Sequence, residues 1–587
     1  MSALTFRRAV EIVGMKWRPD TSIESAAAPG AQAPHTKSRR GFLGAIVSGV
    51  GSVVIAPTVV GAESAQDGRG RSLRGDRDGR GDRVGRGGRS GSGARNGRRR
   101  SGDAREDHHG LHDGGGGPER FVRLFDLPPF AEPSEELREA LIECGRPGGM
   151  MDALDPLEVG PVRLITEPEL SPNNRDNPTH TAGVTFFGQF LDHDITRDAG
   201  SGLGRPTPVR RSMNLRSARM DLDSVYSGGP GDSPALYDGF RFRIESGGLF
   251  EDLPRDDEGV AVIGDDRNDE NLMISGLHAA FLLFHNAVID DIATGQPTAA
   301  DFAEAQATVR RHYQWIVVNE VLPQFVGQPM VDYVRTAGRQ IFTLPVARIP
   351  LEFQTAAYRF GHSMIRPSYR ANLAGDGGEP FFGLVFDPET FGNPDPDDLS
   401  GHSRAPRRFV GWQTFFDFDD GEVKPNKRID TKLSTPLFQL PMFAIPAGRG
   451  EGLGPMSLAA RNLLRHLTWE IPSGQAIASE INAELLASAD LADLGQLGAG
   501  LGASTPLFFY ILREAEVMAD GLHLGPVGGQ IVAEVLLGLL ELDPNSYLNA
   551  EVNWRPTLPQ RNGTVGDDFR MADLLTISGV DPTSRGQ

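Results

Sequence analysis

Ile274, Leu277, Phe281, Phe284, Val288 and Ile292 recur at intervals of three or four. That is the spacing of one buried helical face, and it predicts a core helix over 274–292. A second run, Val309, Tyr313, Ile316, Val317 and Val321, follows Asp301-Phe302-Ala303-Glu304, whose ends have the spacing of a capping box. A long helix is therefore expected over 301–322. Two further helices are suggested at 456–469 and 527–541, strand-like alternation is sparse, and no repeat of solenoid length is apparent. The expected fold is mainly α: one large helical domain with long irregular loops, spanning 118–587.

Ahead of that domain the pattern changes twice. Residues 1–65 contain Ser38-Arg39-Arg40-Gly41-Phe42-Leu43 and a weakly apolar stretch from Gly41 to Ala62, with small residues at Gly61, Ala62, Ser64 and Ala65. Twin arginines before such a run resemble a twin-arginine (Tat) export leader. An uncleaved membrane anchor is the alternative, because the run is just long enough to span, though Ser, Pro and Gly dilute it. Residues 66–117 are a Gly, Arg, Asp and Ser low-complexity linker. They bury too little apolar surface to offset ordering entropy and are expected to be disordered. The Arg-Gly-Asp triplets at 74–76 and 80–82 follow from that composition, and His108, His109 and His112 read as solvated linker.

Charge sharpens the division. The net charge is −19, from 59 Lys and Arg against 78 Asp and Glu; the two leading segments carry +3 and +5, which leaves −27 on residues 118–587. An acidic body argues against nucleic acid as its partner. The single cysteine, Cys144, excludes an internal disulfide, a thiolate zinc cluster, an iron–sulfur cluster and a CxxCH haem attachment.

Ionisable groups stand in apolar surroundings at four places. Asp192-His193-Asp194 follows Val184-Thr185-Phe186-Phe187, and burying such a run is costly unless its members are paired, protonated or bound to something. A solvated turn, a hydrogen-bonded cluster and a non-haem metal site all remain open for it. Arg267 and Glu270 lie three apart just before the 274–292 helix, so on a starting helix they share a face; a capped helix N-terminus is the bland alternative. Arg359 and His362 are again three apart, and Asn462-Leu463-Leu464-Arg465 is the fourth cluster.

Order and wording join these clusters. GQFLDHDIT at 188–196, DLDSVY at 221–226, GDDRNDE at 264–270 with HAAFLLFHN at 278–286, RFGHSMI at 359–365 and NLLR at 462–465 closely resemble the animal-type haem peroxidases, the superfamily that also contains the cyclooxygenases. The resemblance runs through most of 118–587, more loosely toward the C-terminus.

The resemblance implies a b-type haem, with His193 as the distal base, Arg267 as the distal arginine and Gln189 on the same helical face, holding water or halide. It gives His362 as the iron ligand, Asn462 as that histidine's hydrogen-bond partner, and Arg359 and Arg465 as neighbours of the haem propionates. Asp192 and Glu270 match the two carboxylates that become ester-linked to haem methyl groups. Asp194, Ser217, Asp221 and Asp223, with the Arg219 carbonyl, match a calcium site, and alternate loop oxygens plus one distant carboxylate suit that hard cation.

The implied activity is that of a secreted peroxidase in which hydrogen peroxide generates an oxoferryl state that oxidises small anionic or organic donors. No nucleic acid partner and no membrane span after processing are expected. Asn271 stands where the most oxidising relatives have a sulfonium-forming Met, so bromide, iodide, thiocyanate and organic donors are expected ahead of chloride. Two alternatives stay open: a fatty-acid dioxygenase, disfavoured because Arg359 occupies the place of the radical-forming Tyr, and an exported adhesion or matrix protein without catalysis.

Overall fold

The computed structural model describes residues 119–586, apart from 199 and 446–453; the export and linker expectations for 1–117 lie outside the described residues. The architecture is mainly helical. Eight helices frame the site: α1 (Glu135–Cys144), α2 (Gly183–Ile195), α3 (Leu272–Ile292), α4 (Ala299–Ile316), the single turn α5 (Gly361–Met364), α6 (Leu458–Thr468), α7 (Leu507–Ala519) and α8 (Pro526–Leu542). Among the described residues every sheet is a two-stranded antiparallel pair, the longest joining Ser368–Asp376 to Glu379–Leu384.

Helix α3 is the core helix that its spacing predicts. Asn271 caps it by accepting from the Ile274 N–H, and Ile274, Leu277, Phe281, Phe284 and Val288 are all buried. It is long and apolar enough to cross a membrane, but most of it is enclosed by protein, which is what a soluble core helix requires. It packs on α4 and on α2, where Phe190 stacks on Phe281 with centroids 4.6 Å apart. Each wholly buried Phe contributes about 1.5–3 kcal/mol through lost water contact, so this contact fixes α2 firmly. Two glycines of α2 allow close approach by other neighbours. A Cβ at Gly183 would come within 2.6 Å of the Phe416 ring, and one at Gly188 within 2.9 Å of Phe325.

The expected 301–322 helix differs in both ends and interior. The capping box is Thr298 with Asp301, not Asp301 with Glu304: Asp301 N–H donates to Thr298 Oγ1, and Asp301 accepts from Thr298 N–H. After α4 the ladder widens into a π turn, Val317–Val321, before Leu322–Val326. Pro323 has no N–H to give back to the preceding turn, and the insertion accommodates that loss while Val317, Val318 and Val321 stay buried. The other two expected helices appear as α6 and α8.

Arg267 and Glu270 are not on α3. Arg267 lies within a 3-10 turn, Asp266–Asp269, capped by Asp265, and Glu270 ends it. Three residues complete one 3-10 turn, so positions three apart eclipse and the shared face survives on a different element.

Candidate active site

Helix α2 presents Gln189, Asp192, His193 and Thr196 on one side while Phe186, Phe187, Phe190 and Leu191 enter the core. The 3-10 turn lies against that polar side. Arg267 donates through Nη2 to the carbonyls of His193 (3.1 Å) and Thr196 (2.8 Å), so the two residues expected on the distal side are tied through backbone as well as position. His193 Nδ1 is 2.9 Å from Asn268 Oδ1, and its Nε2 makes no hydrogen bond among the described residues. Burial, then the charge of Arg267, pushes the imidazole down to about 4, so it is neutral at pH 7. A proton acceptor has to be in that form.

Asp265 holds Arg267 in place. Its buried carboxylate accepts from Arg267 Nε (2.9 Å) and Nη2 (2.7 Å), from Arg216 Nε (2.8 Å) and from Arg197 Nη1 (3.1 Å). Burial acts against its ionisation, but the Arg267 guanidinium, with Arg216 beyond it, overrides that and keeps the group firmly ionised. Sequence reasoning singled out the 264–270 string but gave no role to Asp265, Asn268, Arg216 or Arg197. The one available signal was the Asp before the turn, a residue type that caps helix starts.

The two carboxylates of the expected ester links both reach this region. Glu270 Oε2 accepts from Gln189 Nε2 (3.2 Å), and Gln189 Oε1 accepts from Asn271 Nδ2 (3.1 Å). Burial pushes Glu270 up to about 8 despite Arg267 nearby. Asp192 Oδ1 accepts from Thr196 Oγ1 at 2.9 Å. The Glu270 backbone is fixed from outside by Gly401, whose N–H donates to its carbonyl at 2.9 Å. A Cβ on Gly401 would sit 1.6 Å from the Asp269 oxygen, so only glycine fits.

On the other side stands His362, on α5. It is pushed down to about 3 by burial and then by Arg359 and Arg465, and it is near enough to His193 to feel that ring's charge. Asn462 on α6 lies against it, with the amide nitrogen 2.7 Å from Nδ1 and the amide oxygen buried and unpartnered. Turning that amide over satisfies both groups: the oxygen accepts from Nδ1–H, and Nε2 keeps its lone pair for a metal. Arg359 gives one hydrogen bond to Gln354 (3.2 Å) and leaves its buried Nε unpartnered, while Arg465 lies over the Trp469 ring at 5.6 Å. Neither forms an ion pair among the described residues, and burial with mutual repulsion pushes Arg359 down to about 9.

Gln189, Asp192, Arg267, Glu270, Arg359, His362 and Arg465 all keep accessible area. Yet burial is the leading influence on the ionisation of the last five, so they lie deep. Deep side chains with accessible surface face an internal hollow. A haem fits this set: imidazoles from opposite segments for the two faces, two carboxylates for its methyl edge, and two unpaired guanidiniums for its propionates.

The expected calcium ligands also converge. Carboxylate oxygens of Asp194, Asp221 and Asp223 lie within 4.8 Å of one another. Ser217 Oγ, Asp221 Oδ1 and Asp223 Oδ1 are buried without partners. Burial, then the neighbouring carboxylates, pushes Asp194 well up and Asp223 up to about 7. The loop winds through left-handed backbone at Met220 (φ 50°) and Leu222 (φ 61°) to bring these oxygens inward. The Arg219 carbonyl meets Gln314 Nε2 only at 3.4 Å. This donor set is what a hard divalent cation takes.

Comparison with known proteins agrees with the geometry. Residues 198–380 match the family model described as animal haem peroxidase. That span holds the acidic loop, Arg267, Glu270 and His362, and stops short of the segments with His193 and Asn462. A peroxidase-like protein of Margaritifera margaritifera is 25% identical over 375 residues, covering 50% of this chain and 46% of its own. Peroxidase mlt-7 of Caenorhabditis elegans is 29% identical over 194 residues, covering 30% of this chain and 26% of its own. The chain thus spans less than half the length of these curated relatives. Peroxidase A from Dictyostelium discoideum shares the fold, with a TM-score of 0.52 at 15% identity over 79% of this chain and 94% of that one. The family match over residues 198–380, the relatives and the fold all liken this chain to the animal haem peroxidases.

Proposed function

We propose that the protein is an exported haem peroxidase that uses hydrogen peroxide to oxidise bromide, iodide, thiocyanate or small organic donors. One observation carries the reading: two buried imidazoles from opposite segments each commit Nδ1 to an asparagine, with the Arg267 guanidinium bonded beside the first. Haem, when bound, would supply the iron site for peroxide and the two electrons that cleavage of its O–O bond consumes. His362 Nε2 holds that iron, and Asn462 orients the ring. His193 Nε2 accepts a proton from peroxide and returns it to the departing oxygen. Arg267, kept charged by Asp265, stabilises the negative charge that develops there. Arg359 and Arg465 would pair with the propionates, and Asp192 and Glu270 would be the carboxylates that esterify the haem methyls, each link replacing a C–H bond, with hydrogen peroxide as the two-electron oxidant. Glu270, largely neutral at pH 7, enters such a link with little loss of ionic stabilisation.

Calcium bound by Asp194, Asp221 and Asp223 ties α2 to the 217–223 loop. The donor ranking rests on Asn271, whose amide caps α3 and bonds Gln189, and which offers no sulfur to the haem edge. Export rests on the twin arginines at 39 and 40.

The visible spectrum of purified protein supplied with iron and haem precursor tests the reading. A haem band lost in His362→Ala, with peroxide turnover lost in His193→Ala, is expected; a colourless parent overturns it. Acidified-acetone extraction that leaves pigment on the protein supports the ester links. Chloride oxidised as fast as bromide at neutral pH overturns the donor ranking, and uptake of oxygen with linoleate in place of peroxide turnover points to a dioxygenase.

A further inference from the structure

We propose that Asn268, backed by His278, is the positioning residue that sets the tautomer of His193 and so makes Nε2 a proton acceptor. The proposal rests on the peroxidase reading of the site. Asn268 Oδ1 lies 2.9 Å from His193 Nδ1, and Asn268 Nδ2 lies 3.0 Å from His278 Nδ1. Asn268 and His278 are both 0% exposed, and His193 is 5% exposed, so no bulk water competes for these bonds.

The logic follows from what each atom can do. An amide oxygen only accepts, so the nitrogen facing it must carry the proton. A neutral imidazole has one N–H, and with that proton on Nδ1 the lone pair is on Nε2. The amide has a second end, and its N–H needs an acceptor, which the His278 Nδ1 lone pair provides. In this amide orientation the chain runs from His193 Nδ1–H to the Asn268 oxygen and from Asn268 N–H to His278 Nδ1, and the buried His278 Nε2, which has no hydrogen-bond partner, carries that ring's proton. Reversing it requires every member to turn over together, and His193 would then meet peroxide with an N–H that cannot accept a proton.

His278 is carried on α3 against Phe190 of α2, with ring centroids 6.4 Å apart, so the backing ring is fixed by the same packing that fixes His193. The charged groups around His193 are Arg267 and Asp265 from the turn, Asp192 from its own helix, and His362 across the hollow. None of them hydrogen-bonds Nδ1, so orientation falls to Asn268. A neutral amide suits this place because a carboxylate would favour the charged imidazolium.

The test uses holoenzyme with Asn268→Leu and Asn268→Asp. Cyanide, taken up as HCN, must surrender a proton to His193, whereas carbon monoxide on the reduced protein surrenders none. Asn268→Leu is expected to weaken cyanide binding and slow the peroxide step at least tenfold, with carbon monoxide affinity and donor oxidation within twofold of the parent. Asn268→Asp, which still accepts from Nδ1–H but favours the imidazolium, is expected to restore cyanide binding only as pH is raised. Equal losses for cyanide and carbon monoxide, or no loss at all, overturn the proposal.

A readout independent of haem and of variant folding is the ring nitrogen spectrum of the full chain labelled with [15N]histidine. His193, identified by its absence in His193→Ala, is expected to be protonated at Nδ1 and bare at Nε2. The opposite tautomer overturns the proposal even in an active peroxidase, and a parent that holds no haem overturns the peroxidase reading while this spectrum still judges the tautomer.

Discussion

Removing a cation from the Asp194, Asp221 and Asp223 cluster should destabilise the protein, and Asp223→Asn should then be more stable than the parent. With carboxylate oxygens within 4.8 Å, two ionised groups repel by about 3.5 kcal/mol at an effective dielectric of ~20. Titration gives a similar figure. Burial, then Asp221, pushes Asp223 from the ordinary 3.8 up to about 7, so keeping it ionised at pH 8 costs about 4 kcal/mol. The folded-state value lies above the unfolded one, so this stability is fully present below about pH 4 and is lost as pH rises through about 7. A folded body of this size unfolds with an entropy of roughly 1 kcal/mol per degree. In chelator at pH 8, Asp223→Asn should therefore melt about 4 °C above the parent, and at pH 5 the gap should shrink below about 2 °C. In excess calcium the order reverses, because the variant has lost a charged ligand. Thermal unfolding by circular dichroism reads all of these conditions. A parent that calcium does not stabilise, or chelated parent and variant that melt together at pH 8, would refute the reasoning.

Three further outcomes can be measured. Asp265→Asn leaves the Arg197, Arg216 and Arg267 guanidiniums without their shared carboxylate, and breaking such a buried set should cost about 3–5 kcal/mol in denaturant titration and slow the peroxide step more than donor oxidation. Asn462→Ala removes the partner of His362 Nδ1, so iron retention should fall roughly 10–100-fold and the reduction potential should move positive; an unchanged potential would dissociate Asn462 from the ligand. Gly401→Ala forces a Cβ against the Asp269 carbonyl, so the 3-10 turn should shift and peroxide turnover and melting temperature should fall together; a fully active, equally stable variant would show that the turn tolerates the move.

The apolar spacing that forecasts α3 works because that helix is enclosed on nearly every side by chain that excludes water, so periodicity alone decides its fate. The same reasoning misplaces the start of α4, where Thr298 and Glu304 compete as partners for Asp301 and only the backbone entry shows that Thr298 is the cap. It also puts Arg267 and Glu270 on the wrong element. A 3.6-residue and a 3.0-residue turn both bring positions three apart together, and they differ in what the residues between them do. On the 3-10 turn Asn268 and Asp269 point away from solvent and are buried, which turns two anonymous polar letters into a contact with His193 and a salt bridge to Arg255 at 2.7 Å.

The clustering was legible where the expected chemistry needs a particular residue type, as at His193, Arg267, His362 and the three aspartates, which the fold brings together. It was not legible where a common polar residue gains its role from burial and direction alone. Asp265 and Asn268 are of that kind: neither type is rare, and both act through another residue. The consequence is mechanical. Arg267 is bonded to the carbonyls of α2 and to Asp265, Asp265 to Arg216, and Arg216 reaches Asp223 at 3.6 Å. A cation at the acidic loop would therefore engage Asp223, which shares Arg216 with the Asp265 that holds Arg267, and losing the cation would leave Asp223 to draw Arg216 toward it. Chelation should then slow the peroxide step before any haem is lost, and peroxide rates measured at constant haem absorbance would expose a calcium effect confined to haem retention.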